Sequence, residues 1–276
     1  MSYIEVSDSA YGFFDVNVVK EKGHDLHDTF VNADPFPHIV IDDFLSPDML
    51  EACLEAFPKP EETQSRSFDR EQERFKTEFK PDSLAPNLRS FFYSLNSRPF
   101  IQFLENMTGI DGLVPDPYFM GGGFHETRQG GHLDVHVDFN LHRKLGLERR
   151  LNLLIYLNKD WHDDYGGSLE LWDADVQNCV HRVTPKFNRC VVFATSEMSY
   201  HGHPTPISHP DNTPRRSLAL YYYTSTWNDS KRRHTTTFKA RPGTQDSVDW
   251  RVKRKEMLDD LLPPIVVRGL NKITRR

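Results

Sequence analysis

The sequence predicts a mainly β protein with flanking helices, an antiparallel sandwich or jelly roll. Six short runs rich in Val, Leu, Ile and Tyr, near 131–138, 150–157, 167–173, 179–183, 189–195 and 216–224, are separated by Gly, Pro, Asp and Asn. Most have no helical period between them, which argues against alternating strands and helices. Helical spacing is confined to the two ends of the chain. At 276 residues, 37% apolar and with 19 Phe, 10 Tyr and 4 Trp, the chain can bury one large core and is too aromatic to be disordered.

Residues 1–34 are polar and aperiodic and are expected to form an N-terminal extension. A single domain then spans 35–276, with helices over 46–110, core strands over 115–225 and a C-terminal helix over 246–261. In PFPHIVIDDFL (35–45), Ile39, Val40 and Ile41 read as a short buried strand. Ser46-Pro47 offers an N-cap and a first-turn proline to a helix carrying Met49, Leu50, Cys53, Leu54 and Phe57, which Pro58 and Pro60 end. The charged stretch 61–80 reads as a solvated surface. Helices follow near 84–95, through Leu88, Phe91, Phe92 and Leu95, and at 98–108, opened by Pro99. The last helix carries Val248, Val252, Met257, Leu258 and Leu261 and stops at Pro263-Pro264.

A formal charge of -6 gives no positive field for nucleic acid or anionic lipid, so neither partner is expected. Three cysteines, Cys53, Cys179 and Cys190, with no CxxC spacing fit a reducing cytoplasm better than a disulfide scaffold. No apolar run approaches the roughly 18 residues that cross a bilayer, so no membrane association is expected.

The segment GHLDVHVDFN sets His132, Asp134, His136 and Asp138 at every second position. On a strand all four share one face, while Leu133, Val135 and Val137 take the other. A face of imidazoles and carboxylates suits either solvent or a metal that neutralises the charge. A His-x-Asp pair with a distant third ligand makes the two-histidine, one-carboxylate face of non-haem iron(II) centres. SYHGHP supplies His201 or His203 near the end of a strand. In RRSLALYYYT, Arg215 or Arg216 heads a strand, and a buried guanidinium there suits a carboxylate ligand held bidentately.

His-x-Asp, a distant His and a downstream Arg-x-Ser, in that order among strands, resemble the iron(II)- and 2-oxoglutarate-dependent dioxygenase superfamily. Its prolyl 4-hydroxylase-like branch is similar at YLNKDW (156–161), Gly166-Gly167, Leu169 and YYYT. The resemblance covers roughly 115–225 and implies a double-stranded β-helix (jelly roll) core. It makes His136, Asp138 and His201 the iron ligands and catalytic centre, with Arg215 and Tyr156 on the distal carboxylate of 2-oxoglutarate. Asn152, on the same face as Tyr156, lines that pocket. Phe139-Asn140 after the pair favours His136 and Asp138 over His132 and Asp134. His201-Gly202-His203 departs from the usual His-x-Val and keeps His203 an alternative ligand.

The function implied is a hydroxylase that oxidises an unactivated C–H bond with Fe(II), 2-oxoglutarate and O2, with ascorbate as a candidate reductant. Its substrate would be a small molecule or a peptide, a prolyl residue or another amino-acid-derived group. The rival classes are a non-catalytic jelly-roll binding protein and a zinc hydrolase using the same three ligands, in which Arg215 has no task. The loop NLHRKLGLERR (140–150) is a candidate substrate lid, and Trp161 a packed aromatic. Oligomeric state is not legible in the sequence.

Overall fold

The computed structural model describes residues 2–6, 14–59, 61, 65–226, 233–247 and 250. Among the described residues twelve strands form one antiparallel sheet that curls into a nearly closed jelly-roll barrel. Its central run, in order across the sheet, is β1 (His38–Ile41), β9 (Cys190–Ala194), β6 (Glu148–Tyr156), β11 (Arg215–Thr224), β5 (Gly123–Val137), β10 (His201–His203), β7 (Leu169–Trp172) and β8 (Cys179–Val183). All six expected strand runs are among these eight. The C-terminal helix expected over 246–261 falls almost wholly outside the described residues.

Alternation along the central strands divides the molecule into an outer, helix-covered face and an inner face. Leu151, Leu153, Ile155, Cys190, Val192, Leu218, Leu220 and Tyr222 join the large core on the outer face. There they meet α3 (Pro47–Glu55), α4 (Pro86–Ser94) and α5 (Arg98–Thr108). Residues of opposite parity, Tyr156, Val191 and Phe193 together with Leu171, form a smaller inner cluster. Fully burying each such side chain is worth about 1.5–3 kcal/mol, so these two faces fix the strand register. Pro47 opens α3 as expected, but the Ser46 hydroxyl makes no capping bond.

Two stretches fold differently from their sequence reading. Residues 1–34 contain α1 (Val16–Asp25) and α2 (His27–Val31), and Ile4, Phe14, Val19 and Phe30 are buried in the main core. Asp15 caps α1 by accepting from the amides of Asn17 and Val18. Gly23 allows α1 to touch α5: a Cβ there would lie 2.4 Å from the Phe103 carbonyl oxygen. The apolar residues were too sparse to show a period, yet a few large ones suffice when a partner helix approaches this closely.

The charged stretch 61–80 is only in part a solvated face: Ser65–Arg70 is largely exposed, but Glu73–Phe79 is largely buried. It holds the hairpin β2 (Ser65–Arg70) and β3 (Glu73–Phe79), and β3 pairs with β5. Glu73, Lys76 and Glu78 are buried because they neutralise one another: Lys76 Nζ lies 2.9 Å from Glu73 and 3.2 Å from Glu78, and Arg70 takes the other Glu73 oxygen at 2.9 Å. Removing the cation leaves the buried Glu78 carboxylate without an ion-pair partner among the described residues and Glu73 with Arg70 alone. We expect Lys76→Met to lower stability by about 3–5 kcal/mol, read from the shift of the urea midpoint at constant slope. A shift within error would mean that water reaches the cluster.

Candidate metal and 2-oxoglutarate site

The inner end of β5 and the short strand β10 face each other so that His136 and His201 are direct register partners. Their rings are 4.5 Å apart between centroids, and the side-chain donors of His136, Asp138 and His201 lie within 4.8 Å of one another. Asp138 Oδ1 is 3.8 Å from His136 Nε2, and Asp138 Oδ2 is 3.3 Å from His201 Nε2.

Second contacts settle which nitrogen faces inward. His136 Nδ1 is 2.8 Å from the Asp134 carbonyl and His201 Nδ1 is 2.9 Å from the Ser199 carbonyl. A carbonyl only accepts, so Nδ1 carries a proton on both rings and Nε2 is the nitrogen that faces the Asp138 carboxylate. With a cation between them, both Nε2 atoms and a carboxylate oxygen can serve as its donors at these distances. Two imidazole nitrogens and one carboxylate oxygen are the donor set that suits Fe(II), so the residues fit the metal.

Burial, and then the neighbouring His201, lower His136 to about 4, against the opposing pull of Asp138. Burial pushes the Asp138 carboxyl up, but Arg149 and then His201 outweigh it and hold the group well below the usual range. The folded state thus refuses a proton at His136 that the unfolded chain accepts. Without metal, stability is expected to fall as pH drops from about 6.5 toward about 4. His136→Gln should flatten that part of the curve in pH-dependent thermal melts, and an unchanged slope would contradict the assignment.

Arg149 was not anticipated. Its Nη2 lies 3.2 Å from Asp138 Oδ2, and its guanidinium donates to Asn152 Oδ1 while Asn152 Nδ2 donates to Asp138 at 2.6 Å. The guanidinium also stacks 3.5 Å from the centroid of Tyr221. Simple alternation would set Arg149 opposite Asn152. A bulge between Tyr222 and Tyr223 shifts the β6 register, pairing Tyr222 with Leu151 and Tyr223 with Arg149, and turns both side chains inward.

A second bulge undoes the expectation that four polar residues share a face. His201 pairs with His136 but His203 pairs with Leu133, so two steps along β10 match three along β5. Leu133 lines the cavity of His136 and Asp138, whereas His132 and Asp134 line a separate one with Glu71 and Asp246. Neither they nor His203 join the triad.

Arg215 heads β11, only 5% exposed. Its Nε donates to the Gly167 carbonyl at 2.7 Å, and its Nη2 to the Tyr156 hydroxyl at 3.2 Å. Gly167 has φ +70°, and a Cβ there would come within 2.9 Å of Arg215 Cδ, so the glycine makes room for the arginine. Among the described residues no carboxylate pairs with Arg215 and no acceptor takes the Tyr156 proton. A buried cation beside a phenol, with no carboxylate at hand, suits a carboxylate ligand. Arg216 points the other way, to Glu126 at 2.9 Å.

Tyr156→Phe should weaken 2-oxoglutarate binding by about 0.5–3 kcal/mol, the span from a neutral hydrogen bond to one with a charged group, with the ring still packed. Lower thermal stability at unchanged affinity would make the tyrosine purely structural.

The remaining expectations resolve simply. Trp161 is packed and donates to the Gly166 carbonyl at 3.0 Å. The 140–150 loop is anchored by the buried His142, whose Nε2 is 3.2 Å from Asp116, while Leu141 and Arg143 line the metal cavity.

The barrel and its site are similar to those of the 2OG-Fe(II) oxygenases. Residues 122–223, which contain the triad, Tyr156 and Arg215, match the family model of the 2OG-Fe(II) oxygenase superfamily. Over 79 residues the chain is 32% identical to the prolyl 3-hydroxylase OGFOD1 of Mus musculus, a stretch that covers 27% of this chain and 14% of that protein. In fold it is similar to a Trichoplax adhaerens prolyl hydroxylase solved with a hypoxia inducible factor peptide fragment, with TM-score 0.54 and 18% identity over 74% of this chain and 90% of that one. A Pseudomonas putida prolyl-4-hydroxylase superposes with TM-score 0.50 and 19% identity, covering 73% of this chain and 98% of that one.

Proposed function

We propose that this protein is an Fe(II)- and 2-oxoglutarate-dependent hydroxylase, and that its substrate carries a prolyl residue or a related amino-acid-derived group. His136, Asp138 and His201 hold the metal, and Arg215 with Tyr156 holds the distal carboxylate of 2-oxoglutarate. The observation that carries this reading is the buried Arg215–Tyr156 pair, a guanidinium and a phenol that meet no carboxylate among the described residues, in the same barrel as the triad. A zinc hydrolase has no use for such a pair, and an inert binding module has no need of the triad.

When bound, iron and 2-oxoglutarate would together supply the oxidising power for attack on an unactivated C–H bond. The chain's own residues do the positioning. Nδ1–H bonds to backbone carbonyls fix both imidazoles, while Asn152, lining the same interior, and Arg149 fix the Asp138 carboxylate. Arg215 orients the cosubstrate, and the Phe193 ring, 4.5 Å from His201, keeps water from one side.

The prolyl preference is taken over from the relatives named above. Among the described residues no helix is long and apolar enough to cross a membrane, and the three free cysteines suit a cytoplasmic setting. Anaerobic addition of Fe(II) and 2-oxoglutarate should give the charge-transfer absorbance of a chelate, and admitting O2 should release succinate, faster with a prolyl peptide. Absence of both signals would sink the proposal.

A further inference from the structure

The cavity at the triad has a charge character opposite to that of the chain. It encloses about 340 Å³ and is lined by Arg66, Arg70, Lys76, Arg143, Arg149 and Arg233. Against these six cations stand three carboxylates, each already engaged: Glu73 with Arg70 and Lys76, Glu78 with Lys76, and Asp138 with Arg149. An Fe(II) dication and a 2-oxoglutarate dianion would cancel and leave this balance unchanged. Arg66, Arg143 and Arg233 are left over, exposed and forming no ion pair among the described residues. The overall charge is nevertheless -6, so this positive rim is local.

We infer that the cavity receives an acidic peptide, in which carboxylate side chains flanking the oxidised residue meet Arg66, Arg143 and Arg233. The inference rests on the oxygenase reading of the site and names its substrate class. The three arginines come from separate segments, the β2–β3 hairpin, the loop after Asp138 and the segment before β12 (Thr237–Phe238). Cations spread around an opening suit several carboxylates along an extended chain; one small dianion needs them gathered at a point. A nucleic acid would also meet the rim cations, but its long backbone would face the repulsion of the net negative chain beyond the rim.

The test uses the full chain with Fe(II) and 2-oxoglutarate under nitrogen. Three fluorescein-labelled peptides of equal length share a central proline and differ only in flanks of Glu, Gln or Lys. The Glu peptide is expected to bind about tenfold or more tightly than the Gln peptide, with the margin shrinking as salt rises, and the Lys peptide most weakly. In the combined variant Arg66→Glu, Arg143→Glu, Arg233→Glu the order should reverse. The milder Arg66→Gln, Arg143→Gln, Arg233→Gln should bring the Glu and Gln peptides within about threefold.

Equal binding of the Glu and Gln peptides, or a preference for Lys, would overturn the inference. So would displacement of the Glu peptide by free glutamate at equal carboxylate concentration, or by a single-stranded oligonucleotide of equal charge. Binding is read without turnover, and the iron charge-transfer band is recorded in the same samples. A missing band tells against the oxygenase reading, whereas a normal band without charge preference tells against the acidic substrate alone.

Discussion

Asp138→Ala should abolish stoichiometric Fe(II) binding, and His136→Ala and His201→Ala should do the same or leave only weak, exchangeable metal. Each removes one of three donors that lie within 4.8 Å of one another. The loss at Asp138 is the more severe. Without its carboxylate, two imidazoles and the Arg149 cation face the metal, and Arg149, 3.2 Å from Asp138 in the intact protein, then keeps Asn152 and the Tyr221 ring but, among the described residues, no carboxylate beside it. Metal content after desalting, together with succinate release, checks this. The outer pair gives the control: His132→Ala and Asp134→Ala should retain iron, because the β5 bulge puts these residues in the neighbouring cavity. Iron lost with His132→Ala and kept with His136→Ala would put the ligand pair four residues earlier.

Arg215→Ala should weaken 2-oxoglutarate binding by about 2–5 kcal/mol, a factor of about thirty or more, with iron still bound. The cost is large because the pocket is dry, so a charge-assisted contact is lost and the ligand carboxylate stays buried without a counterion. Arg216→Ala should cost far less, since its guanidinium is bound to Glu126 at 2.9 Å on the opposite side of β11. Anaerobic titration of 2-oxoglutarate against the charge-transfer absorbance measures both. Equal affinities in wild type and Arg215→Ala would remove this residue from the cosubstrate site.

Much of this architecture is legible in the sequence because alternation is a local property. Leu218, Leu220 and Tyr222 pack outward and Arg215 inward just as a period of two requires, and Arg215 is told from Arg216 by the same parity. The YLNKDW segment likewise puts Tyr156 beside Arg215. Parity fails at the two bulges. One separates His132 and Asp134 from His136, and the other brings Arg149 round to Asp138. A bulge is a mismatch in length between two paired strands, and neither strand alone records it.

The hairpin of β2 and β3 shows the same limit for charge. Read alone, Glu73, Lys76 and Glu78 belong in water; paired against β5, they neutralise one another and wall the metal cavity. Residue types and spacing by themselves determined the jelly-roll strands and marked His136, Asp138, His201 and Arg215 as candidate site residues, since strands follow from the two-residue period and candidates from side-chain chemistry. The tertiary structure alone decided which polar residues share the cavity with the triad and how they balance its charge. Strand pairing over long sequence separations sets those distances, and electrostatic energy in a dry interior depends on them steeply.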